Sequence, residues 1–175
     1  QVSGPGTTTF TASTATATGI EVSAYGLYTY EYKVTNAPCS AVTTTVNIEF
    51  YDTPTGLLAV GDAGPKVCGL LTSLTGSHTV LAYSNSNAAY EWTQVSGPGT
   101  TTFTASTATA TGIEVSAYGL YTYEYKVTNA PCSAVTTTVN IEFYDTPTGL
   151  LAVGDAGPKV CGLLTSLTGS HTVLA

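Results

Sequence analysis

Hydrophobic and polar positions alternate with period two along much of the chain, in short runs. From 120 to 127, Tyr121, Tyr123, Tyr125 and Val127 fall on one face, with Leu120, Thr122, Glu124 and Lys126 on the other. From 135 to 143, Val135, Thr137, Val139, Ile141 and Phe143 alternate with Thr136, Thr138, Asn140 and Glu142. This period predicts half-buried strands. The abundance of Thr and Val, whose branched Cβ is restrictive in a helix, points the same way. Shorter strands are predicted over 58–60, 70–75, 90–95, 100–104 and 111–116. Between them lie the Gly61-Asp62-Ala63-Gly64-Pro65, Gly97-Pro98-Gly99 and Asn129-Ala130-Pro131-Cys132-Ser133 breaks. About seven short strands with turns at regular spacing describe an all-β antiparallel sandwich. Its predicted core is Trp92, Tyr121, Tyr123, Tyr125, Val139, Ile141 and Phe143, with Trp92 and Tyr90 on the third strand facing the two longest ones.

The pattern occurs twice. Residues 1–82 and 94–175 are identical at an offset of 93, separated by 83–93. A 93-residue unit suits a small sandwich and is too long for a solenoid turn. Pro and Gly follow a strand-like run at Asp52-Thr53-Pro54-Thr55-Gly56 and at Asp145-Thr146-Pro147-Thr148-Gly149. Cut there, 1–54 is the C-terminal part of one repeat, 55–147 a complete repeat, and 148–175 the N-terminal strands of the next. The chain then reads as a window onto a tandem array. Its start at Gln1, without Met or a signal peptide, reads as a mature product or a piece of something larger.

Composition narrows the function classes. Only 9% of residues are charged, with 4 Lys plus Arg against 11 Asp plus Glu and a net charge of -7. Nucleic-acid binding is disfavoured, because phosphate contacts need clustered cations. The 35 Thr and 12 Tyr argue against both a helical bundle and a disordered chain. Apolar stretches such as Leu57-Leu58-Ala59-Val60 fall far short of a membrane span.

Several segments resemble a known group. Tyr90-Glu91-Trp92-Thr93-Gln94-Val95-Ser96-Gly97-Pro98-Gly99 is similar to the middle-strand motif of PKD-like and Ig-like repeats in large surface proteins of Bacteroidota. Ala117-Tyr118-Gly119-Leu120-Tyr121-Thr122-Tyr123 resembles their Gly-x-Tyr-x-aromatic strand entry. The segments around Cys68 (Asp62 to Gly69) and Cys132 (Thr128 to Cys132) resemble their two cysteine-bearing stretches. The resemblance spans essentially the whole unit. It implies tandem Ig-like (PKD-like) sandwiches in an extracellular adhesin, gliding-motility-type surface protein or filament subunit at the bacterial cell surface. Copies in such proteins usually diverge, whereas these are identical.

Each repeat carries two cysteines, Cys39 and its copy Cys132, and Cys68 and its copy Cys161. Neither pair has CxxC spacing, and the single His per repeat (His78, His171), read as a loop residue, lies away from any ligand cluster, so disulfides are favoured over zinc. In an Ig-like fold Cys68 falls at the turn between the first two strands and Cys132 in the hairpin before the last. Those poles are separated by a strand length of about 26 Å, against the ~7 Å Cα spacing that a disulfide tolerates. Three states stay open: a bond within one domain after a shift of its first strand, a bond between successive repeats, and free thiols.

Tyr121 could form a tyrosine corner, and the same-face tyrosines read as core rather than as a sugar-binding platform. Asp52 and Asp62 are weak calcium candidates, each explained as well by turn capping. The chain has no Gly-x-Ser-x-Gly elbow, P-loop or N-glycosylation sequon, and 100–111 is Thr-rich enough for O-glycosylation. No enzyme activity, cofactor or metal site is expected. The reading is a structural repeat of an extracellular fibre or filament, a mechanical stalk whose partner is itself, head to tail, with strand exchange between chains as a variant. The alternative is an adhesin module binding glycans or host surfaces through loops such as 83–87 or 97–101.

Overall fold

In a computed structural model, described over residues 1–80, 88–154 and 167–172, the chain is all-β, with no helix among the described residues. The described residues form fourteen strands, in order β1 (Thr8–Phe10), β2 (Ile20–Val22), β3 (Gly26–Val34), β4 (Val42–Phe50), β5 (Thr55–Gly61), β6 (Lys66–Cys68), β7 (Leu71–Thr79), β8 (Ala88–Ser96), β9 (Thr101–Phe103), β10 (Ala110–Val115), β11 (Gly119–Asn129), β12 (Val135–Tyr144), β13 (Thr148–Gly154) and β14 (Leu167–Thr172). The complete repeat forms two four-stranded sheets, β5-β7-β10-β9 and β6-β12-β11-β8. Lettered along the chain, these are the A-B-E-D and A′-G-F-C sheets of an Ig-like sandwich. Pairs β1-β2, β3-β4 and β13-β14 form two-stranded sheets.

By contact the chain divides into two compact units. The first comprises Gln1–Leu58, Ser77–Glu91 and Lys126–Thr137; the second comprises Ala59–Gly76, Trp92–Tyr125 and Thr138–Ala175. Neither follows the repeat boundaries at 54/55 and 147/148.

In the second unit, three contacts show the sheets packed face to face. Phe103 of β9 meets Tyr123 of β11 edge-on, with ring centroids 6.0 Å apart. A Cβ on Gly76 of β7 would fall 2.5 Å from the Tyr125 ring, and one on Gly61 of β5 would fall 2.4 Å from Ile141 Cδ1. Between the sheets, Leu74, Ile113, Tyr121, Tyr123, Tyr125 and Ile141 are fully or almost fully buried, with Trp92 and Phe143 beside them. Val139 is only partly buried, because the inward face of β12 opens toward its hairpin end.

Trp92 sits differently from the sequence expectation. Its strand β8 is hydrogen-bonded beside β11 in one sheet, so Trp92 flanks Tyr125 (4.8 Å between centroids) instead of facing it from the opposite sheet. Strand β6 was not anticipated either. It has three residues between Pro65 and Gly69, too few to show alternation, yet it pairs in parallel with β12 and buries Val67. Cys68 therefore ends a strand rather than occupying a turn, and His78 lies in β7, its ring 5.0 Å from Tyr90, rather than in a loop.

The first unit holds the first copy's strands. β3 and β4 pair from Gly26↔Phe50 to Val34↔Val42, and Tyr28 meets Phe50 edge-on at 5.5 Å. The equivalent Tyr121–Phe143 contact in the second unit is also 5.5 Å. Burial does not copy as faithfully: Tyr32 is 49% exposed, whereas its equivalent Tyr125 is 0% exposed.

Candidate functional site at the repeat junction

The inward face of β11 carries Tyr121, Tyr123, Tyr125, Val127 and, one step further, Asn129, all at 0% exposure. A polar side chain in that position needs a partner. Asn129 Nδ2 donates to the backbone carbonyl of Asp52 at 2.6 Å, across 77 positions of sequence. Three residues on, the Cys132 thiol donates to the neighbouring carbonyl of Tyr51 at 3.6 Å, and Cys132 N–H closes the turn onto Asn129 O at 2.9 Å. Within the first unit, the hairpin between β11 and β12 of one copy thus grips the segment leaving β4 of the preceding copy through two adjacent carbonyls. Asn129 was missed by the sequence reading as part of a turn. The signal was present: continuing the alternation of 121–127 by one step puts a polar residue on the inward face.

Tyr25 lies at the same place. The charge of Asp52 is the first cause holding its phenol above the ordinary tyrosine range, followed by burial, a hydrogen bond to Asp52 and the proximity of Cys132. The equivalent Tyr118 is raised too, first by its hydrogen bond to Asp145. The Tyr–Asp pairing therefore recurs one repeat later, and it accounts for Asp52. Asp62 accepts a hydrogen bond from Ser73. Among the described residues, no group of three or more His, Cys, Asp or Glu side chains could hold a metal ion.

At the far end of the complete repeat, Cys68 is the parallel register partner of Tyr144, and Gly69 N–H donates to Tyr144 O at 2.9 Å. The Lys66 ammonium lies over the Tyr144 ring at 5.7 Å, and the Tyr144 hydroxyl bonds Glu142. Cys68 and Cys132 thus lie at opposite ends of β12, whose ten residues span about 33 Å. A bond between them within one repeat is out of reach. Cys39, Cys68 and Cys132 are thiols in this structure, Cys39 and Cys68 exposed and Cys132 half-buried. Cys161 lies outside the described residues, as does the 83–87 loop considered for glycan binding.

The tyrosine corner is formed. Tyr121 OH donates to Ala117 O at 2.9 Å, and Tyr28 OH to Ala24 O at 2.7 Å. The 97–101 loop is built onto that ring: a Cβ on Gly97 would fall 2.2 Å from Tyr121 Cδ1, and Gln94 Nε2 donates to Gly99 O at 2.7 Å.

No family model and no curated protein matches the chain. Among solved structures, it is similar to the PKD domain from KIAA 1837 protein, at 20% identity and a TM-score of 0.37, over 52% of this chain and 91% of that one. It is also similar to a nucleoside hydrolase-related hypothetical protein from Saccharophagus degradans that is associated with carbohydrate metabolism. There the identity is 11% and the TM-score 0.41, over 56% of this chain and 26% of that one. The Ig-like assignment rests on the chain's own strand order. No helix among the described residues is long and apolar enough to cross a membrane.

Proposed function

We propose that this chain is a non-catalytic structural segment of an extracellular tandem array, in which identical Ig-like sandwiches are joined end to end as a fibre or stalk at the cell surface. The observation that carries the reading is the grip of Asn129 and Cys132 on the Asp52 and Tyr51 carbonyls. Backbone carbonyls are present whatever the side chains, and the copies are identical, so the same grip can repeat at every junction. A heterologous contact whose rotation does not close a ring propagates as a linear array. The partner it fits is a further copy of the same repeat.

Low charge and β-branched, Thr-rich strands suit a load-bearing surface protein, and a tyrosine corner in each copy gives every module its own clamp. Negative-stain microscopy of native material tests the proposal. Fibres with an axial repeat of about 35–45 Å, one sandwich plus its linker, are the expected result. Isolated globular particles would overturn it. A glycan-array signal from repeats alone would favour the adhesin reading.

A further inference from the structure

We propose that each junction is a site of covalent cross-linking, in which Cys68 of one repeat forms a disulfide with the Cys132 equivalent of the next. The inference uses the tandem-array reading for its oxidising compartment and for copies on both sides of a junction.

Two hydrogen bonds meet at one repeat-equivalent atom. Tyr144 O, at the end of β12, accepts from Gly69 N–H at 2.9 Å, and Cys68 is the residue immediately before that donor. Tyr51 is the same residue one repeat earlier, at the same offset of 93, and its carbonyl accepts from the Cys132 thiol at 3.6 Å. Where a repeat has both its own first strands and a following copy, both cysteines therefore approach one carbonyl oxygen. The donor N–H keeps the Cys68 Cα no more than about 5 Å from that oxygen, since Cα and the next N are ~2.4 Å apart. The thiol of Cys132 is already in contact with it.

Orientation agrees with approach. Val67 is buried, so alternation along β6 turns Cys68 away from the core, and Cys68 is exposed. Local geometry is the same in the two copies at this end: the Tyr28–Phe50 and Tyr121–Phe143 contacts are both 5.5 Å, at 85° and 87°. The rival partner, Cys132 of the same repeat, lies a full strand length away.

The chemistry needs an oxidant, and a small-molecule disulfide such as oxidised glutathione supplies it. One cysteine thiolate attacks the glutathione disulfide and releases one glutathione as thiolate. The second cysteine thiolate then attacks the mixed disulfide at the protein sulfur and releases the other. Two protein thiols give up two protons and two electrons, and one glutathione disulfide becomes two glutathiones.

Peptide masses from the unaltered array cannot tell the two pairings apart, because the copies have the same sequence. The test is the full 175-residue chain with one further copy of residues 1–93 placed ahead of Gln1, refolded at low concentration with oxidised glutathione. The added copy brings its own equivalents of Cys39 and Cys68, which makes six cysteines with the chain's 4. Junction pairing joins only the added Cys68 equivalent to Cys132 and leaves four thiols. Pairing within repeats forms two bonds and leaves two thiols.

The Cys39→Ser/Cys68→Ser variant of the same chain removes both within-repeat partners. We expect a disulfide-linked peptide containing Cys132 to persist in it, and the further Cys132→Ser change to abolish that peptide. Two remaining thiols, six remaining thiols, or loss of the linked peptide in the double variant would overturn the proposal. Because the readout is a thiol count and not fibre formation, such a failure leaves the array reading separately testable by microscopy.

Discussion

Gly76 lies flat against the ring of Tyr125: a Cβ at that position would come within 2.5 Å of the ring carbons. The two residues belong to opposite sheets, and the missing side chain lets the sheets close over a tyrosine at the centre of the core. Gly76→Ala is expected to destabilise the protein by about 1–3 kcal/mol through overpacking. Chemical denaturation checks it. An unchanged midpoint would mean that the sheets are farther apart than described.

The tyrosine corner makes a second prediction. Tyr121 OH reaches Ala117 O at 2.9 Å, while Gly97 leaves room for the same ring. Tyr121→Phe keeps the ring and loses the hydrogen bond, for an expected loss of about 0.5–1.5 kcal/mol. Gly97→Ala, which puts a methyl group into the ring, should cost more than Tyr121→Phe in the same unfolding assay. The reverse order would contradict the geometry.

Alkaline stability follows from Tyr123. Burial pushes its phenol up to about 12 from the ordinary tyrosine value of 10.0, partly offset by the hydrogen bond with Thr101. The folded state therefore holds the Tyr123 proton more tightly than the unfolded chain. Its contribution to stability is intact below pH 10 and is lost as pH rises from 10 toward 12. Urea titrations across that range should show stability falling, and Tyr123→Phe should flatten part of the slope. An ultraviolet titration in which every tyrosine ionises in one step near pH 10 would count against it.

An exposed ion pair gives a contrasting expectation. Lys126 and Glu91 meet at 3.1 Å with their side chains 40% and 50% exposed. Water screens such a pair, so Lys126→Ala should cost below about 1 kcal/mol, and added salt should shrink the difference further. A larger loss measured by thermal unfolding would show the pair to be less solvated than its exposure indicates.

Much of the sandwich is legible in the sequence, because alternation is a direct consequence of burying one face of a strand. The run Tyr121, Tyr123, Tyr125, Val127 by itself names the inner face of β11. Partnering between strands is not carried by alternation, which is why Trp92 is inward but beside Tyr125 and not opposite it. The three-residue β6 is held by its pairing with β12, a long-range contact that leaves no local pattern. The junction was half legible: an inward Asn129 shows that a partner is required, yet a backbone carbonyl acceptor has no side-chain signature. Identity of sequence even conceals a difference, since Tyr32 and Tyr125 are the same residue in the same local context with very different burial.

That last point supplies the most direct test of the central claim, that successive copies dock through the Asn129 hairpin. Asn36 and Asn129 are equivalent positions in identical stretches, but Asn129 is buried on Asp52 O while Asn36 is exposed. Asn129→Ala and Asn36→Ala should be compared in the same chain by equilibrium unfolding. The docking account expects a loss of about 1–3 kcal/mol for Asn129→Ala, as for any buried hydrogen-bonded group left without its partner. For Asn36→Ala it expects a change within about 0.5 kcal/mol. Equal effects at the two positions would contradict it.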